Sequence, residues 1–303
     1  MRRPALALLA LLPALAGLQA PVDLRKETPQ AREQRLEAFV ATQTGWKLEL
    51  TPDYFVLRDF ADAKPARELA ERASLLLRQV ERDLDPPKPD TKWERTRSTL
   101  YLYSAEANYR AAGGNGVDSA FWRTSDASLH LYVTDTTHGK RVVERALQSV
   151  VVAEYIDLRG GPGGHAPWFL NGLQMHYSGY TLKAKKLVFA PREDLVERLR
   201  EMTLPFSENF VPFAQLFRYD SREFNGDNDL AIGGLDVWAQ GGSLHEFLRL
   251  GAKTDGFQPR WSDIPRLYWA EWKSSRDPEL ATKLALAGVD LAALDRVWLA
   301  WVR

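Results

Sequence analysis

Val142-Val143-Glu144-Arg145-Ala146-Leu147-Gln148-Ser149-Val150-Val151-Val152-Ala153-Glu154-Tyr155-Ile156-Asp157 reads as a helix. The Gly-rich loop Gly160-Gly161-Pro162-Gly163-Gly164 follows, and a second helix opens at Pro167-Trp168-Phe169-Leu170-Asn171-Gly172-Leu173. On the first helix Ala153 and Asp157 stand four residues apart and share a face, with Glu154 beside them. Glu154 and Asp157 also place two carboxylates on adjacent turns, where each raises the proton affinity of the other. Such a pair supports general acid–base work of the glycosidase kind. It is equally common on inert helices.

Upstream of this frame the pattern is mixed. Lys47 to Leu50 and Tyr54 to Leu57 read as strands around the turn Thr51-Pro52-Asp53. Leu69, Ala73, Leu76, Leu77, Val80 and Leu84 recur at helical spacing across Pro65 to Leu84, and Pro86-Pro87 ends that helix. Ser98 to Tyr103 is an expected strand, followed by a short helix near Ala105 to Ala112. Ala120 to Arg123 and Leu129 to Val133 form an expected strand pair around Thr124-Ser125-Asp126. Downstream, helices are expected over Arg192 to Glu201, Leu235 to Leu250, Pro278 to Ala287 and Leu291 to Val302. Strands and helices in this order predict an α+β fold: a small mixed sheet, then a mostly helical C-terminal half.

The chain has 303 residues, enough for one large domain or two smaller ones. We expect an α/β subdomain over residues 46–140 and a helical subdomain over 141–303. The 40 basic and 40 acidic residues balance, which argues against a nucleic-acid partner. Arg2 and Arg3 followed by the apolar run Ala5 to Leu18 read as a signal peptide over residues 1–20, and residues 21–45 as a linker or a short exposed helix. The expected location is therefore exported, periplasmic or extracellular, with membrane contact only through an uncleaved signal. With no cysteine, stability must come from core burial, and a cysteine-type zinc site is excluded.

The two-helix frame resembles the gluzincin metallopeptidases, most closely the peptidase-MA-like domains of unassigned function in bacterial secreted proteins. That family carries H-E-x-x-H on one helix and a W-x-x-E-G-L-A type motif on the next. Asp236-Val237-Trp238-Ala239-Gln240 is similar to its Y-A-Q-type helix, and Leu294 to Trp301 to its terminal helix. The resemblance implies a sheet lying over the first helix, with Leu129 to Val133 as the edge strand along which an extended peptide is added. It thereby marks Leu129, His130, Leu131, Tyr132, Trp168 and Asn171 as binding residues.

The same comparison places Ala153 and Asp157 where the two histidine ligands stand, and Asn171 where the third-ligand glutamate stands. Glu154 keeps the general-base position. Ala153 has no donor atom, Asp157 is a short carboxylate and Asn171 offers a neutral amide oxygen, a set that binds zinc poorly. No cofactor is expected. Neither His165 nor His176 is in ligand register, and each reads as a surface or hydrogen-bonded histidine. His245-Glu246 ends in Arg249 rather than a second histidine and reads as structural. Trp261, Tyr268, Trp269 and Trp272 share a helix face, which favours core packing over sugar stacking.

Three functions stay open. The first is a pseudo-metallopeptidase that binds a peptide, protein or envelope polymer. The second is a hydrolase with altered chemistry, using Glu154 and Asp157 directly or around a non-zinc metal. The third is a structural domain, its cleft plugged by Phe169 or Tyr155.

Overall fold

The computed structural model describes residues 27–86, 97–115, 118–133, 137–161, 163–184, 186–190, 192–204 and 210–303. The expected signal peptide lies outside these. No helix among the described residues is long and apolar enough to cross a membrane. The elements run α1 (Pro29–Thr42), β1 (Lys47–Leu50), β2 (Tyr54–Arg58), α2 (Ala63–Leu84), β3 (Ser98–Tyr103), α3 (Glu106–Ala111), β4 (Ala120–Arg123), β5 (Ser128–Tyr132) and α4 (Thr137–Gly160). They continue with α5 (Pro167–Tyr177), β6 (Tyr180–Lys183), β7 (Lys186–Phe189), α6 (Glu193–Met202), α7 (Phe213–Leu216), α8 (Ser221–Phe224), α9 (Gly234–Leu250), α10 (Ile264–Ser275), α11 (Pro278–Ala285) and α12 (Leu291–Val302). The fold is α+β, and its C-terminal half is mostly helical.

Two compact units divide the chain: Met1–Ser74 with Thr91–Glu154, and Leu75–Asp90 with Tyr155–Arg303. The first holds a five-stranded mixed sheet in the order β1-β2-β3-β5-β4. β2 pairs parallel with β3, and β3 parallel with β5, while β1 and β4 join antiparallel at the two edges. Every residue of β2 is buried, as a central strand covered on both faces requires. Residues 29–42, expected as part of a linker or a short exposed helix, form a helix that is docked rather than exposed. Thr28 caps it through the Ala31 amide at 3.2 Å, and Pro29 occupies the first turn. Its Leu36 is fully buried in a cluster with Trp46, Phe55, Leu57, Tyr103 and Tyr109. Phe39 and Val40, on the next turn, pack partly buried against the same cluster.

The second unit is built on α5 against α9. The two backbones approach closely because the contact is made of glycines. A Cβ at Gly172 would lie 2.6 Å from Cδ2 of His245 and 3.0 Å from the Gly241 carbonyl oxygen. The Gly-rich loop has a similar cause: a Cβ at Gly160 would lie 2.4 Å from the Trp272 ring. Trp261, Tyr268, Trp269 and Trp272 are all buried, so these aromatics are core, as their spacing predicts, and Trp298 is buried too. The β6–β7 hairpin was not expected from the sequence.

Candidate functional site

Glu154 sits in α4, within the first unit, and is 1% exposed. The Tyr54 hydroxyl, at the start of β2 and itself fully buried, donates to Glu154 Oε2 at 2.8 Å. A carboxylate that is buried and capped by a phenol is a satisfied structural group. Ala153 beside it is half-buried and offers no donor. The sequence marks Glu154 through its motif position but gives no sign of Tyr54, which is a hundred residues away and is brought in only by the sheet.

The strand holding Leu129, His130, Leu131 and Tyr132 is not an edge. β5 is hydrogen-bonded to β3 on one side and β4 on the other, so its backbone is already paired. Leu129, His130 and Leu131 are buried, which removes them as peptide-contacting residues. The edge position on this side belongs to β4, its antiparallel partner. His130 is a core residue. Its ring stacks on Phe121 at 4.4 Å and on Tyr101 at 4.7 Å. Its Nδ1 bonds the Tyr103 hydroxyl at 2.8 Å and its Nε2 the Ser128 hydroxyl at 2.7 Å. Burial, reinforced by the Arg123 charge, pushes its pKa down to about 3.

In the second unit Asp157 lies in the last turns of α4 and Asn171 in the second turn of α5, both half-buried. Trp168 is fully buried and donates from Nε1 to Thr282 Oγ1 at 3.1 Å, so it is a core residue rather than part of a binding surface. Phe169 packs on Tyr268 at 4.2 Å. Tyr155 donates to Asp85 at 2.9 Å. Asp85 also accepts from Trp269 Nε1 at 2.7 Å and pairs with Lys273. Burial raises the Asp85 carboxyl, but the bonds from Lys273 and Trp269 hold it below the usual range. This network was not foreseen, because its members come from three distant segments.

The histidines divide. His245 points Nε2 at the Trp168 carbonyl at 3.1 Å, in keeping with its structural reading, and burial pushes its pKa down to about 4. His165 lies against Trp272, ring centroids 3.7 Å apart, and burial together with the Arg276 charge brings it to about 4. His176 departs from expectation: it is buried, and neither ring nitrogen has a hydrogen-bond partner among the described residues. Among the described residues, no group of three or more histidine, aspartate or glutamate side chains could hold a metal ion.

Comparison with known proteins returns no matching family model and no matching curated protein.

Proposed function

We propose that this chain is an exported, non-catalytic protein built on a gluzincin-like frame, which binds an extended peptide, protein segment or envelope polymer instead of cleaving it. The observation that carries the reading is the state of Glu154. Its carboxylate is buried and engaged by Tyr54, and the neighbouring Ala153 cannot ligate a metal. A general base needs a polarised water within reach and a lone pair free to take its proton. Glu154, 1% exposed and held by Tyr54, is shut away from such a water, which also weighs against the altered hydrolase built on Glu154 and Asp157. The helix-loop-helix order of α4 and α5 and the mixed sheet with an antiparallel edge strand fit the frame. On this reading the partner adds to β4, in the manner of strand augmentation.

A structural role is the second reading, and one observation favours it. Phe169 and Tyr155 are both fully buried among Tyr268, Trp269 and Asp85. The frame itself is tested by rebuilding the ligands. A chain carrying Ala153→His, Asp157→His and Asn171→Glu together gains zinc binding in a calorimetric titration if α4 and α5 follow the gluzincin register. A folded triple variant without zinc affinity overturns the alignment.

A further inference from the structure

In the first unit Tyr103, His130, Ser128 and Asp126 form one unbroken hydrogen-bonded chain through β3, β5 and the turn before β5. The Ser128 hydroxyl has a single proton, and the Asp126 carboxylate 2.5 Å away can only accept it. Ser128 Oγ then accepts from His130 Nε2 at 2.7 Å, which makes Nε2 the protonated nitrogen. Nδ1 is left as an acceptor, and the Tyr103 hydroxyl donates to it at 2.8 Å. The chain therefore runs one way, from the Tyr103 phenol to Asp126. Tyr103, His130 and Ser128 are buried, whereas the Asp126 side chain is 15% exposed and paired with Arg123. Burial holds the His130 pKa down to about 3, so the imidazole is neutral and Nδ1 keeps its lone pair at neutral pH.

Tyr103 is also the centre of a cluster of oxidisable rings. Between centroids, Trp46 lies 5.6 Å away, Tyr109 5.9 Å and Tyr101 6.3 Å, and Tyr132 stands 6.1 Å from Tyr109. Tyr101 and Tyr132 are half-buried and reach the surface. Rings this close pass an electron among themselves. A phenol gives one up easily only when its proton can leave too, because the oxidised phenol is a strong acid. The phenols differ in where that proton can go. Tyr109 donates to the Asp118 backbone carbonyl, which is no base. Tyr101 is bonded by the Arg35 guanidinium, which accepts no proton and whose charge opposes a positive hole. Tyr103 faces a neutral imidazole nitrogen.

We propose that Tyr103 is a redox-active tyrosine, the sink for an oxidising equivalent that enters this ring cluster from a small oxygen-centred radical, with His130, Ser128 and Asp126 as the path for its proton. A peroxyl radical takes one electron from the cluster, and the hole settles on Tyr103. The Tyr103 O–H bond breaks, and its proton passes to His130 Nδ1. The Nε2 proton moves to Ser128 Oγ, the Ser128 proton to Asp126, and Asp126 releases it to water. The peroxyl anion takes up a proton from water and leaves as a hydroperoxide. The chain has no cysteine, so an external thiol returns one electron and one proton to the phenoxyl and becomes a thiyl radical. This role is independent of peptide binding and of the metallopeptidase-like frame.

Pulse radiolysis of the purified chain with trichloromethylperoxyl radicals, followed by freeze-quench EPR, tests the assignment. A tyrosyl radical is expected. It should carry a proton coupling that disappears in D2O, from the His130 Nδ1–H left bonded to the phenoxyl oxygen. Tyr103→Phe, which keeps the ring, should abolish this signal, and Tyr219→Phe in the second unit should not change it. His130→Gln keeps an acceptor for the phenol but supplies no base, and should slow radical formation at least about tenfold. If His130→Gln does not fold, Tyr103→Phe and the exchangeable coupling of the native radical carry the test. Absence of a tyrosyl radical, a radical that survives Tyr103→Phe, one without the exchangeable coupling, or an unchanged rate in folded His130→Gln overturns the proposal.

Discussion

His130 and His176 are the same residue at nearly the same burial, 1% and 5% exposed, in opposite circumstances. In the first unit His130 is stacked between Phe121 and Tyr101 and bonded at both nitrogens. In the second unit His176 is enclosed by aromatic neighbours, Phe189 at 5.0 Å among them, and bonded at neither. The sheet accounts for His130 completely, as it accounts for Glu154 under Tyr54. Nothing in the packing of α5 accounts for His176. A buried polar group that its fold satisfies supports the packing around it; one left without a partner among the described residues costs stability.

Acid should have the largest effect, and it acts on both histidines at once. His130 has a native pKa of about 3, His165 and His245 of about 4, and His176 lies well below its usual value. Each is depressed relative to the unfolded chain, near 6.5. The unfolded state therefore takes up protons first as pH falls. The stability contribution of these histidines is complete above about pH 6.5 and declines below it, by up to about 1.4 kcal/mol per pH unit for each, partly offset by Glu246 and Asp295, whose carboxyls burial raises to about 7 and about 6. Urea denaturation at neutral and mildly acidic pH measures this slope, and a flat profile would contradict the burial of all four. His176→Phe should remove one proton from it.

His130→Phe should cost about 3 kcal/mol, since it strands the Tyr103 and Ser128 hydroxyls inside the sheet. Tyr54→Phe should cost about 2 kcal/mol by withdrawing a donor from a buried carboxylate. Both are read as shifts in the urea midpoint. The smallest effect is expected from His176→Phe, neutral or stabilising by about 1 kcal/mol, because it removes a polar group that had no partner to lose among the described residues. If it costs as much as His130→Phe, the contrast between the two units fails.

Much of the fold was legible. The alternation at Ser98 to Tyr103, the helical spacing of Leu69 to Leu84 and the frame of α4 and α5 all mark local structure, and local periodicity is what a sequence displays. Strand order is not local. Whether Leu129 to Tyr132 lies at an edge depends on where Ala120 to Arg123 pairs, and that pairing put β4 outside and β5 inside. The docking of α1 escaped because Leu36, Phe39 and Val40 find their partners only in the sheet, far along the chain. The site was less legible still. Glu154 was visible as a motif position, but its meaning turns on Tyr54. The hydrogen-bonded chain from Tyr103 to Asp126 joins β3 to β5, a pairing that no spacing announces.

The central proposal is a zinc-protease-like frame without the metal chemistry. Its most direct test is the metal content of the purified chain, followed by calorimetric titration with zinc in chelator-free buffer. The account predicts no stoichiometric metal and no tight zinc uptake. One tightly bound zinc per chain would contradict it and return Glu154 to a catalytic role.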